Sequence, residues 1–167
     1  MIRGCATCPR RASGSWLQPP RLFFASLTET GAVCLCPRRM PISIVRLGMP
    51  RRAGEGPRLG TVRRPPRGVP KNDFARLDYY DVWFPNLSPS AELVQHAMQA
   101  DSEREWAAFR RKFRHEMNAP DRSRELDLLA ALSHHANFAL GCYCEDERHC
   151  HRAVLRELLL ERGAKLA

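Results

Sequence analysis

The amino-acid sequence predicts an α/β domain, with a small, mostly parallel sheet flanked by helices in a Rossmann-like layered arrangement, behind a disordered N-terminal tail. Three observations carry this. Short apolar runs near residues 42–45, 59–63, 82–84 and 138–143 read as strands. Amphipathic stretches at helical spacing fill residues 88–135 and follow the last strand. The final run, Phe138–Tyr143, is apolar except for Gly141, as expected of a strand covered on both faces. Helices between strands then argue for layers with parallel pairing.

Length and charge set the bounds. A chain of 167 residues can bury one real core. It has no apolar run of about 18 residues, so no membrane span is expected. Leu22–Leu27 is too short for a secretory apolar region, and no cleavage pattern follows it. A cytoplasmic protein is therefore expected, its seven cysteines serving as reduced thiols or metal ligands. The net charge of +9 is uneven: residues 1–71 hold 14 Lys/Arg against 2 Asp/Glu, and residues 72–167 hold 13 against 16. A basic half fits nucleic acid or another polyanion as partner. The plainer account is a basic tail and a basic loop.

Residues 1–39 show no sustained period and carry Pro9, Pro19, Pro20 and Pro37 with six arginines. Such a segment buries too little to offset its ordering entropy. The domain is expected over residues 40–167, with Met40 as the native start and residues 1–39 a gene-model extension. An Arg-rich targeting peptide is the rival for residues 1–28. Cys5-x2-Cys8 and Cys34-x-Cys36 lack the paired knuckles of a zinc ribbon.

Ile42, Ile44 and Val45 predict the first strand, and Leu59–Arg63 the second. Between them Gly48, Pro50, Gly54, Gly56 and Pro57 mark a loop. Pro65-Pro66-Arg67-Gly68-Val69-Pro70-Lys71 excludes regular structure, because proline removes donors and fixes φ. This stiff segment presents Arg63, Arg67 and Lys71, and the guanidinium fork suits phosphate or carboxylate. Val82-Trp83-Phe84 reads as a third strand. Ser88 is read as a helix N-cap with Pro89 at the first helical position. Ser102 and Glu105 form a capping-box pattern, and Trp106, Phe109, Phe113 and Met117 follow as a core stripe. Arg110, Arg111, Lys112 and Arg114 crowd the opposite, solvated face. Pro120 ends that helix, and Leu126, Leu129, Ala130 and Leu132 predict another, reaching His134-His135.

The closing stretch gathers the chemistry. Ligands in parallel sheets lie beyond the carboxyl ends of the strands, where Cys144 to Cys150 falls. Val154, Leu155, Leu158 and Leu159 predict a helix stopped at Gly163. Cys150 sits at that helix's start, where the dipole favours thiolate, so it is the candidate catalytic nucleophile. Arg152 lies in the first turn, where a cation opposes the dipole and calls for an anion. The acids Glu145, Asp146 and Glu147 could supply it, or a bound ligand could. The spacing matches neither a cysteine phosphatase nor a Cys-x-x-Cys redox pair. The rival reading is zinc held by Cys142, Cys144, Cys150 and His151 or His149.

Several motifs in order resemble an uncharacterised bacterial family, the YeaO-like proteins of the DUF488 class. They are Pro66-Arg67-Gly68-Val69 with Lys71, Leu87-Ser88-Pro89-Ser90-Ala91-Glu92-Leu93, Trp106-x2-Phe109-x3-Phe113-Arg114-x-Glu116, and Cys142…Cys150-His151-Arg152-x2-Leu155. The likeness spans about residues 42–163. Where such proteins usually carry Trp before Pro-Arg-Gly, this chain has Pro65. The resemblance implies a compact α/β domain and brings no established activity.

Three functions are therefore weighed, one of them enzymatic. The first is an anion-binding domain acting on a phosphorylated or nucleotide-like small ligand, with Arg63, Arg67 and Lys71 facing His151, Arg152 and the Cys150 thiol across one cleft. The second is a non-enzymatic nucleic-acid or protein-binding module using the basic loop and the Arg110–Arg114 face. The third is a structural zinc in the last loop.

Overall fold

A computed structural model describes residues 41–167. The expectations of a disordered tail, a start at Met40 and the Cys5/Cys8/Cys34/Cys36 spacing lie outside the described residues. In chain order the elements are β1 (Ser43–Arg46), β2 (Arg58–Gly60), β3 (Val82–Trp83), α1 (Ala91–Met98), α2 (Glu103–Met117), α3 (Pro120–Leu132), β4 (Ala139–Cys142) and α4 (His151–Glu161). Short 3-10 turns occupy Lys71–Asp73 and Pro85–Leu87. The strands form one sheet in the order β1-β4-β2-β3, and every pair is parallel. The α/β class and the parallel sheet are thus as the sequence predicts.

The last strand stands inside the sheet because its sequence suits no other place. All four residues of β4 are buried, so both faces need cover and both edges need partners. It pairs Ser43 with Ala139 on one side and Arg58 with Ala139 on the other. Gly141 is required there: a Cβ at that position would run into the Leu47 side chain. At the outer edge, β3 is short and half-exposed.

The main core joins Ile42 and Leu140 of the sheet region to Phe109 and Phe113 of α2 and Leu155 and Leu158 of α4. A second cluster, containing Leu47, Val62, Cys142 and Cys150, packs at the carboxyl end of the strands. The α2 capping box forms as expected: Ser102 accepts from the Glu105 N–H, and Glu105 accepts from the Ser102 N–H. Gly163 ends α4 with φ of 76°. Among the described residues no helix is long and apolar enough to cross a membrane.

Several boundaries differ from expectation. The N-cap of α1 is Ser90, whose Oγ accepts from the Leu93 N–H, rather than Ser88. Ser88 is withdrawn because its hydroxyl donates to the Pro85 carbonyl at 2.6 Å. Pro120 opens α3 instead of merely ending α2. That helix stops at Leu132, short of His134, and leaves the Leu132 side chain exposed. β2 ends at Gly60, although the Thr61 N–H still bonds the Gly141 carbonyl at 3.0 Å.

Candidate active site

The site is built where β4 ends. Cys142 is the last residue of the strand, and the loop from Tyr143 to His149 returns the chain to the start of α4. That loop is tied down by its own acids. Glu145 accepts from Arg46 at 2.7 Å and Glu147 from Arg156 at 2.7 Å. Asp146 accepts the Arg148 N–H at 2.8 Å and faces His149 Nδ1 at 2.8 Å. Cys150 then falls at the N-cap of α4, its thiol making no capping bond to the helix.

Three consecutive side chains converge on one sulfur. Cys150 Sγ lies 3.7 Å from His151 Nδ1 and 3.4 Å from Arg152 Nε. Arg152 also donates from Nη2 to the Cys144 carbonyl at 2.7 Å. All three residues are buried. Among the described residues Arg152 forms no ion pair with the acids Glu145, Asp146 and Glu147 that the sequence offered. It meets the sulfur beside it.

The tautomer of His151 follows from its far side. Nε2 sits 2.8 Å from the Thr61 carbonyl and 3.2 Å from Thr61 Oγ1. A carbonyl only accepts, so Nε2 carries the hydrogen. In the neutral ring Nδ1 then offers its lone pair to Cys150. Thr61 Oγ1 in turn donates to the Gly141 carbonyl at 3.0 Å, which fixes the hydroxyl.

The three thiols divide unequally. The neighbouring Cys142 and then Cys144 bring Cys150 well below an ordinary thiol value; His151 adds to this, and together they override burial. Hydrogen bonding to Cys144 and to Cys150 pushes Cys142 up. For Cys144 the bond from Cys142, at 3.6 Å, acts downward, but Cys150 and burial outweigh it and leave the thiol raised. The cluster thus favours one thiolate, on Cys150, with Cys142 and Cys144 held as thiols. The α4 N-terminus adds its dipole to the same preference.

A cleft of about 1030 Å³ opens above this sulfur. Its walls come from the segments that leave the carboxyl ends of β1, β2 and β4, and from α1 and α2. Cys142, Cys144, Cys150 and His151 line its base; Arg63, Arg64 and Arg67 line one rim; Trp106 stands on the α2 side. The rim arginines are exposed and make no ion pair among the described residues. The structure thus brings Arg63, Arg67, Cys142, Cys144, Cys150 and His151 to one cavity. It does not bring Lys71, which is exposed in the Lys71–Asp73 turn and is not a lining residue. Arg152 lies beneath the lining, against the sulfur.

Two lining or supporting residues were not assigned to the site from the sequence. Thr61 orients His151. Trp106, read as core alone, also faces the cleft. His149 packs against the Trp106 ring with centroids 4.9 Å apart, and its Nε2 lies 3.3 Å from Glu103. The one available signal was position: Thr61 lies within the predicted strand Leu59–Arg63, and the observed β2 ends just before it, at Gly60.

A family model described as the active DUF488-N3 subclade matches residues 42–163. The chain belongs to the DUF488 family. The match starts just before β1 and closes at the glycine that ends α4, so every residue of this DUF488 site lies inside it. The comparisons with curated proteins and with solved structures returned no match.

Proposed function

We propose that this DUF488 protein is an enzyme that uses Cys150 as a thiolate nucleophile on a small anionic substrate. The carrying observation is the placement of Cys150 Sγ between His151 Nδ1 and Arg152 Nε at the base of an arginine-rimmed cleft. His151 takes the thiol proton at Nδ1, while Thr61 holds Nε2–H in place. Arg152 restrains the sulfur and balances its charge. Sγ attacks an electrophilic atom of the bound substrate, and the imidazolium returns its proton to the departing group. Arg63 and Arg67 hold the substrate's anionic group, which their planar forks suit. The description of the matched subclade as active agrees with this reading.

Timed alkylation with iodoacetamide, mapped by mass spectrometry, is the test. Cys150 should label fastest of the three described thiols, and a panel of phosphorylated metabolites should contain one that slows it. Arg63→Ala with Arg67→Ala should weaken that protection. A Cys150 slower than the exposed Cys144 would overturn the nucleophile.

One observation favours a second reading, a zinc centre. The donor atoms of Cys142, Cys150 and His151 lie within 4.8 Å of one another, and Cys144 Sγ is 3.6 Å from Cys142 Sγ. The Thr61 carbonyl behind His151 is the kind of outer partner that metal-bound imidazoles have. Protein prepared without chelator decides between the two. One zinc per chain, with Cys150 alkylated only after chelator is added, would replace the nucleophile by a ligand set.

A further inference from the structure

We infer that the anion taken by this cleft is a mononucleotide, its phosphate on the arginine rim and its base on the Trp106 wall; this rests on the active-site reading above. The two walls differ in chemistry. On one side Arg63, Arg64 and Arg67 project from a proline-stiffened loop without partners among the described residues. Nearly every other arginine near the site is already used: Arg46 by Glu145, Arg156 by Glu147, Arg152 by the thiol cluster. Three unpaired guanidiniums on one rim call for an anion that carries several oxygens.

The other wall is apolar and partly flat. Val94, Ala97 and Met98 of α1 line the cleft together with Trp106, and Met98 is 82% exposed. His149 stands against Trp106 with its ring tilted by 42°, so two ring systems meet at this wall. Inorganic phosphate would leave this surface in water, and a plain hydrophobe would leave the arginines unanswered. The volume of about 1030 Å³ also exceeds what a lone oxyanion fills. A nucleotide meets both demands with one molecule: a planar base that stacks and a phosphate that pairs. Stacking on an aromatic side chain strengthens binding by roughly 5- to 150-fold per base.

The full chain should be titrated calorimetrically with the four common ribonucleoside 5′-monophosphates, ribose 5-phosphate, hexyl phosphate and a single-stranded 12-mer. At least one nucleotide should bind about tenfold or more tightly than both ribose 5-phosphate and hexyl phosphate. Trp106→Leu should remove that advantage and leave ribose 5-phosphate binding unchanged, whereas Arg67→Ala should weaken both. Equal affinity for nucleotides and ribose 5-phosphate would overturn the inference, as would no binding of any nucleotide. Hexyl phosphate matching the best nucleotide would show an apolar wall without ring recognition. Tighter binding of the 12-mer would replace a mononucleotide site by a nucleic-acid groove. The wild-type affinity ratios decide these outcomes even where a variant fails to fold. Ring discrimination without protection of Cys150 from alkylation would sink the nucleophile alone. A fast, ligand-protected thiol without ring discrimination would sink the nucleotide alone.

Discussion

Arg58 and Arg152 are both buried, and they show how differently one residue type is used. Arg58, 1% exposed, forms an ion pair with Glu55 and donates to the carbonyls of Met49, Pro50 and Asp78. It fastens the long β1–β2 loop from behind. Arg58→Ala would leave Glu55 buried and unpaired, a loss of about 3–5 kcal/mol. Urea unfolding would measure it, and a loss below about 1 kcal/mol would mean that Glu55 escapes to water. Burial acts to raise the Glu55 carboxyl, but hydrogen bonds from Arg58 and the Arg52 N–H win and lower it. A lowered carboxyl contributes stability that is complete above its unfolded value, about 4.3, and lost as pH falls through the folded one. Stability followed from pH 6 to 3 should therefore fall below about pH 4 in the native chain, and less steeply in Glu55→Gln. Cys150 is lowered in the same sense, so its alkylation rate should stay flat between pH 6 and 8 while that of Cys144, a raised thiol, climbs. A Cys150 rate that climbs in parallel with Cys144 would contradict the thiolate assignment. Cys150, His151 and Arg152 were legible from their place at a strand–helix junction. The partner of Arg152 was not, because a thiolate's charge depends on neighbours that only folding supplies. Nor was Thr61, which reaches His151 across 90 residues.

At the scale of elements, the helices were more legible than the strands, for physical reasons. The α2 stripe repeats over 15 residues and carries its own cap, so local sequence suffices. Ser102→Ala should cost about 1 kcal/mol by releasing the Glu105 N–H. Phe113, fully buried against Phe109 and the His151 ring, should cost about 3–5 kcal/mol as Phe113→Ala. Because that ring also borders the site, the same variant should slow Cys150 alkylation, whereas Ser102→Ala should not. Equal alkylation in both would show that the helix stabilises the fold without shaping the thiol's surroundings. The start of α1 was misread because two serines, Ser88 and Ser90, both suit a cap and tertiary contacts choose between them: Glu116 accepts the Ser90 N–H at 3.0 Å. Strand ends were blurred because only the ladder defines them. Thr61 and Val62 are as buried as a strand residue but lead out of the sheet into the site.

On the scale of the whole molecule, an all-parallel sheet decides where function sits and how stability is graded. Parallel order sends the connections after β1, β2 and β4 out of one end, so the cleft is a consequence of topology. Its base rests on β4, bonded on both sides and buried, while its rim is the proline-rich segment of residues 63–69. No N–H of that rim donates to a backbone carbonyl among the described residues. Base and rim should therefore open with different free energies, the base near the global limit and the rim near zero. Hydrogen exchange on the full chain would read this directly. The amides of Leu140 to Cys142 should be among the slowest, and those of Arg63, Arg64, Arg67 and Gly68 among the fastest of the described residues. A bound phosphorylated ligand should slow the rim and leave β4 unchanged, since an anion orders the arginines that hold it and adds nothing to a strand already paired. Slowing confined to α2, with the rim unaffected, would move the anion to the basic Arg110–Arg114 face and remove Arg63 and Arg67 from the site.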